Sequence, residues 1–344
     1  MARTMRLSGS MLAAASAALL GGAALAQTEY EPPRTEHGRP DLQGAWSNAS
    51  VTGLTRPRGY PLVITPEQAA ELEGRALYNR RIETESGPLD PNAPPPEAGA
   101  ALPPVGNYSV VWTDPGKHVA NINGELRSSF IVYPEDGQIP DLTEEGRALR
   151  AAAGSSRRGT GYDNPEERGL SERCIILPTS GPPIGSYLYN NTTQIVQTED
   201  HVVIMAEMIH DARIVRLDAE HRDDGVEQWM GDPVGWWDGD TLVVETTNMH
   251  PAQRSGRNFL SDSGKITERF TRINDTQILY EFEVDDPLVY EDVWRAEMPL
   301  NRVEEGIFEY ACHEGNHGLR NILSGGRRND ELGIAHTGGD QREE

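Results

Sequence analysis

The sequence predicts a mainly β protein: an antiparallel meander closed into a lipocalin- or calycin-like β-barrel, or folded into a sandwich, with a few peripheral helices and a proline-rich loop. Three observations predict it. After residue 170 the pattern has period two and is rich in β-branched residues. The apolar runs there are separated by short polar turns such as Asp238-Gly239-Asp240. Before residue 170 the texture is proline, glycine and short polar stretches, which leaves room for only a few regular elements.

Taken in chain order, Asp41 to Trp46 reads as a short first strand. Thr65-Pro66-Glu67 opens a helix through about Arg81, with threonine as N-cap and proline at the first helical position. Residues 86–104, SGPLDPNAPPPEAGAALPP, hold neither a helix nor a central strand and read as an extended surface loop. Arg127 to Tyr133 is a strand ending in a turn at Pro134 to Gly137. A second helix runs from Asp141 to about Ala153, capped by Thr143, with Glu144 and Glu145 suited to its positive end.

The β-rich part then follows. Gln194 to Thr198 and His201 to Glu207 flank Glu199-Asp200 as a hairpin, and Ala212 to Leu217 comes next. Trp236-Trp237 and Thr241 to Thr246 make the clearest hairpin, around the Asp-Gly step. Lys265 to Arg272, Gln277 to Val284, Val293 to Met298 and Ile307 to Cys312 complete the series, about nine strands in all. Apolar and polar residues alternate along several of them, so one face lines a core or cavity and the other meets water.

The first 26 residues read as a cleavable export signal. Arg3 and Arg6 form a positive start, Met11 to Leu20 is an apolar run, and Ala24-Leu25-Ala26 is a small-x-small site, so the mature chain begins at Gln27. That run is too short to span a bilayer of about 30 Å. The expected organisation is one β-rich domain over 27–344: a loop- and helix-rich part to 170, the barrel or sandwich core over 171–325, and a disordered tail over 326–344. The expected location is the periplasm or the exterior, without membrane insertion.

A formal net charge of −23 argues against nucleic acid and anionic membrane surfaces as partners, and leaves a small molecule as the expected ligand. In an oxidising compartment Cys174 and Cys312 read first as a disulfide, with two buried free thiols as the rival reading. There is no GxSxG elbow, phosphate-binding glycine loop or dinucleotide fingerprint, so no cofactor is expected.

Two clusters carry candidate chemistry. Cys312-His313-Glu314-Gly315-Asn316-His317 puts a histidine beside a carboxylate at the end of the last expected strand, so His313 is a candidate general acid or base with Glu314 or Glu207 as its partner. The plain alternative is a turn at Gly315 with Asn316 capping a short C-terminal helix. Glu207 to Arg213 holds Glu207, His210 and Asp211 at a hairpin end, where His210 and Asp211 can pair as base and orienting group. The plain alternative is an ordinary polar turn. Tyr189, Asn190, Asn191 and Asn316 are candidate substrate-orienting groups, and a turn built on asparagines is the rival. No metal is expected; the alternative tested is His210, His313 and His317, the last two at i, i+4 spacing, which Gly315 weakens. His118, His201 and His221 stand in polar loops or hairpin ends and read as solvated.

PDLQGAW at 40–46, ERCI at 172–175, the YNN and QIVQT run at 189–198, EMIHDAR at 207–213, GDTLVVETTN at 239–248, ERFTR at 268–272 and EYACHEGNHGLRNIL at 309–323 form an ordered series. The series resembles a largely uncharacterised family of secreted bacterial proteins found in sphingomonad-like and acidobacterial genomes, and it covers nearly all of the mature chain. The resemblance implies one co-evolved domain. It also implies an aromatic residue where this chain has His317, which counts against His317 as an essential ligand. Gly44-x-Trp46 is similar to the start of a lipocalin-type barrel, a fold that does not fix a function.

The functional expectation is a periplasmic, cofactor-independent enzyme, a lyase, isomerase or hydrolase, using histidine–carboxylate acid–base chemistry on a small, partly apolar molecule. The alternative is a lipocalin-type binding protein that carries an apolar ligand without chemistry.

Overall fold

Nine strands close into a barrel, as the alternation predicts. In the computed structural model the strands are β1 (Gly44–Ser47), β2 (Val63–Ile64), β3 (Asn121–Ile122), β4 (Glu125–Arg127), β5 (Ile131–Tyr133), β6 (Thr192–Gln197) and β7 (His201–Ala206). They continue as β8 (Ala212–Leu217), β9 (Asp232–Asp238), β10 (Thr241–Thr247), β11 (Lys265–Asn274), β12 (Gln277–Asp285) and β13 (Trp294–Val303). The helices are α1 (Pro66–Glu85), α2 (Glu144–Arg157) and α3 (His317–Leu332). The structure describes residues 30–85, 113–157, 161–177, 179–250 and 259–334; the export signal expected over residues 1–26 and the surface loop expected over 86–104 lie outside these. Contacts divide the chain into Met1–Glu31 and Pro32–Glu344, and the architecture here is that of the second unit.

The barrel order is β1-β6-β7-β8-β9-β10-β11-β12-β13, returning to β1. Every neighbouring pair is antiparallel except β8 and β9, which run parallel at Arg216–Val234 and Leu217–Gly235. An odd ring cannot close with antiparallel pairs alone, because strand direction would have to alternate around an odd count. One parallel pair removes the conflict. It also requires a crossover, and the chain supplies Asp218 to Gly231 for it.

The inward face follows the period-two pattern. On β11 the buried residues are Ile266, Glu268, Phe270 and Arg272, and on β12 they are Ile278, Tyr280, Phe282 and Val284. Trp46, Phe270, Tyr280 and Trp294 are among the largest fully buried side chains. Truncating one buried aromatic to alanine typically costs about 3–5 kcal/mol. The seam is made by β1, which pairs with β13 through Ala45–Val303 and with β6 through Gly44–Ile195. The first strand of the chain therefore belongs to the barrel core.

Local signals explain the helix starts. Thr65 Oγ1 accepts from Gln68 N at 3.3 Å while Gln68 Oε1 accepts from Thr65 N at 3.0 Å, a reciprocal capping box. Thr143 Oγ1 accepts from Gly146 N at 2.9 Å.

Four expectations need correction. Arg127 to Tyr133 is not one strand. Glu125–Arg127 pairs with β2 and β3, whereas Ile131–Tyr133 pairs with β13. Between them the Ser128 and Phe130 N–H groups bond to Leu62 and Gly53 carbonyls. Ile307 to Cys312 forms no strand, because β13 already has β1, β5 and β12 as partners. Residues 326–332, expected in a tail, are the last turns of α3; residues 335–344 lie outside the described ones. Gly326 lets that helix approach Tyr162, since a Cβ there would sit 2.3 Å from the tyrosine Cβ. Finally, the meander is interrupted by the parallel β8–β9 pair.

Candidate functional site

The predicted polar clusters serve chiefly to fasten a plug. Cys174 and Cys312 form a disulfide, with Cα atoms 5.8 Å apart. Asn316 N-caps α3, its Oδ1 accepting from Leu319 N at 3.1 Å, and its Nδ2 donates to the Glu172 carbonyl at 2.8 Å. Asn316 is thus a structural cap and tie. His313, Glu314 and His317 are exposed. His313 lies in a turn and His317 is the first residue of α3, so their spacing does not place them on one helix face. Among the described residues no group of three or more His, Cys, Asp or Glu side chains is arranged to hold a metal ion.

The second cluster is fastened in the same way. Glu207 Oε1 accepts from Phe308 N at 2.9 Å, which ties the strap around Cys312 to the end of β7. Ile209 and His210 both adopt left-handed φ, +62° and +49°, an unfavourable conformation for a β-branched residue, and His210 is exposed. Asp211 Oδ2 accepts from Ser180 Oγ at 2.6 Å and from Leu177 N at 3.2 Å. Burial pushes the Asp211 carboxyl above the usual range, against the opposing pull of those two bonds and of His210. Asn190 bonds to Thr179 Oγ1 and Met208 N, and Asn191 to Tyr187 N, Tyr187 O and Asp114 O. Tyr189 is half-buried beside them. These asparagines hold loops together.

What they hold is the segment around Ile184. Ile184 N donates to Tyr280 Oη at 2.9 Å, inside the barrel. Tyr280 Oη donates to Glu268 Oε1 at 2.7 Å, and Arg213 grips both Glu268 oxygens. The Arg213 and Glu268 side chains are fully buried. Burial, then the Glu268 charge, raises the Tyr280 hydroxyl well above its normal range. Between the plug and the barrel wall, a void lined by Phe130, Ile184, Phe282 and Met298 measures about 20 Å³. That is room for about one water molecule.

The histidines expected to be solvated have partners. His201 Nδ1 is 2.8 Å from Asp200 Oδ1. His221 Nδ1 lies 3.1 Å from Asp232 Oδ2 and its Nε2 lies 3.2 Å from Glu245 Oε1, so it pins the crossover to the outer face of the barrel. Burial raises the Asp232 carboxyl, but the Arg222 N–H, His221 and Arg216 outweigh it and hold the group below the usual range.

His118 is the informative one. It lines an open groove of about 460 Å³ together with Lys117, Asn121, Asn274, Gln277 and Asn301. Its Nδ1 stands 3.4 Å from Glu73 Oε1 on α1, and that same oxygen accepts from Val119 N at 2.9 Å, which fixes the carboxylate. The backbone beneath is fixed too. Gly116 has φ +76°, and a Cβ on it would lie 2.4 Å from Ser50 N, so only glycine lets this segment lie against Ser50. Val51 N and Ser50 Oγ both donate to the His118 carbonyl, at 2.9 and 3.2 Å. The His118 side chain is 82% exposed, open to a ligand, while Glu73 is largely covered.

Sequence reasoning missed this site because it is assembled from segments near residues 50, 117–124, 274–277 and 299–301. The one local signal is compositional: Lys117 is one of only two lysines in the chain. Comparison with protein-family models, with curated proteins and with solved structures gives no match.

Proposed function

We propose that the protein is an exported, periplasmic enzyme that binds a small polar molecule in the Lys117–Asn301 groove and moves a proton on it with His118. The observation that carries this reading is the carboxylate behind the histidine. Glu73 Oε1 stands 3.4 Å from Nδ1, so the carboxylate lies on that side of the ring and Nε2 faces away from it, positioned to take or give a proton. At 3.4 Å the pair is loose, as such pairs often are before substrate binds and tightens them. Lyase, isomerase and hydrolase chemistry are all within reach of one oriented imidazole, and none needs a cofactor.

Export is supported by the signal-like first 26 residues, the Cys174–Cys312 disulfide and the absence, among the described residues, of any helix long and apolar enough to cross a membrane. The ordered motif series from PDLQGAW to EYACHEGN supports membership of the secreted bacterial family it resembles.

The test is turnover. Wild type and His118→Gln are incubated with a periplasmic metabolite extract, and both are followed by NMR. Signals that change with wild type and stay unchanged with His118→Gln support the reading. Identical spectra from the two proteins sink it. His313→Gln, the variant that the sequence singles out, is expected to behave as wild type.

A further inference from the structure

The hydrogen-bonding state of the groove says what it takes. Asn121 Oδ1 accepts from Gly124 N at 2.8 Å. Asn274 Oδ1 accepts from Thr276 N at 2.9 Å and from the Thr276 hydroxyl at 3.0 Å. Asn301 Oδ1 accepts from Gln277 Nε2 at 2.9 Å. The orientation of each amide is set by its partner, because a backbone N–H only donates, and Gln277 Nε2 is itself fixed by donating to the Asn121 carbonyl at 3.1 Å. Three asparagines therefore have their oxygens occupied within the protein, and the same amides carry N–H groups with no protein partner among the described residues. Lys117 adds an ammonium that is in no ion pair among the described residues, and His118 adds an imidazole. On the acceptor side stand the amide oxygens of Gln277 and Asn123.

Charge points the same way. The chain carries 54 Asp and Glu against 31 Lys and Arg, yet among the described residues no carboxylate lines this groove; Glu73 stands behind His118. An anion approaching such an acidic protein is repelled almost everywhere. It is stabilised only where carboxylates are locally absent and several N–H donors converge, since hydrogen bonds to a charged oxygen are about twice as strong as neutral ones.

We infer that the groove binds a small molecule through an oxyanion, a carboxylate or a phosphate ester, with Lys117 as the charge partner and the amide groups of Asn121, Asn274 and Asn301 as donors. The inference rests on the groove being the working site, and it names the class of ligand used there. Lys117 is its specificity-determining residue: the lysine separates an anion from a neutral analogue of the same shape.

The experiment is a binding titration without turnover, read by the side-chain amide signals in ¹⁵N NMR and by calorimetry. The probes are glucuronate, glucose 6-phosphate and glucose. At least one of the two anions is expected to bind in the millimolar range, about tenfold or more tighter than glucose, and to weaken with added salt. Lys117→Gln should remove most of that preference, whereas Lys265→Gln, which changes the only other lysine, should not. The two anions separate the sources: glucuronate alone indicates a carboxylate ligand, and glucose 6-phosphate alone a phosphate ester. Equal binding of glucose, no binding of either anion at about 10 mM, or an unchanged preference in Lys117→Gln overturns the inference. Failure of the acid–base reading looks different: anions bind through Lys117, but His118→Gln leaves every turnover signal as in wild type.

Discussion

In the loops that join residues 172–191 to 207–211 and 308–316, most of the polar side chains that stand out in the sequence already have partners within the protein. Asp211 holds Ser180 and Leu177, Asn190 holds Thr179 and Met208, Glu207 holds Phe308, and Asn316 holds Leu319 and Glu172. In the groove the amide oxygens of Asn121, Asn274 and Asn301 are held, and their N–H groups have no partner among the described residues. The first region is dense in sequence and chemically closed. The second is dispersed in sequence and chemically open. A compact run of His, Glu, Asp and Asn thus marks a place where backbone must be fastened, because such residues satisfy loop N–H and C=O groups that no strand or helix supplies. A ligand site needs donors left over, and those arise where separate segments meet.

Five changes test this contrast, the largest effect first. Replacing Cys174 and Cys312 together by alanine reopens a loop with a sequence separation of 138 residues, and the chain-entropy treatment puts the loss at about 5 kcal/mol. The denaturation midpoint should fall steeply. Should it not move, the strap around Cys312 is not what holds the plug.

Arg213→Met comes next. It leaves the buried Glu268 without its partner, at a cost of about 3–5 kcal/mol in chemical denaturation. Restoring charge balance with Glu268→Gln in the same chain should recover part of that loss. No recovery would mean that Arg213 acts through packing alone.

Asp211→Asn is a smaller change with a sign worth working out. The folded carboxyl is raised, so folding favours its protonated form. That stabilising contribution is complete below the unfolded carboxylate range and is lost as pH rises through the raised one. At neutral pH the asparagine still accepts from Ser180 and Leu177 without a buried charge. The variant should match or exceed wild-type stability by less than about 1 kcal/mol at pH 7, and lose more against wild type as pH falls. A variant clearly less stable at pH 7 would show that the charge itself is needed.

His118→Gln and Glu73→Gln should alter stability least, within about 0.5 kcal/mol. The expected Glu73→Gln effect is on the pH profile of turnover rather than on ligand affinity. An affinity change with the profile intact would make Glu73 a binding residue.

The hairpins were legible because they are local. Short polar turns between apolar, β-branched runs decide β6–β7, β9–β10 and β11–β12 within about twenty residues each. The caps at Thr65 and Thr143 were legible for the same reason. The seam was not: Ala45 and Val303 carry no mark of each other. Nor was the parallel β8–β9 pair, since it follows from closing an odd ring rather than from any residue in either strand. The length of α3 was hidden by Gly325 and Gly326, which weaken a helical pattern and are tolerated here because Tyr162 packs on the second of them. Of the proposed site, the pairing was not legible, because Glu73 and His118 meet only after α1 packs beside the Gly116 turn.

The seam carries a consequence for timing. A barrel closed by pairing its first strand with its last has its closing contacts at the largest sequence separation among its strand pairs, and such topologies fold slowly. The ring is incomplete until Val303 is available to β1, so a chain emerging from synthesis stays open for nearly its whole length. If the chain is exported as proposed above, late closure keeps the precursor in the extended state that passage across a membrane demands.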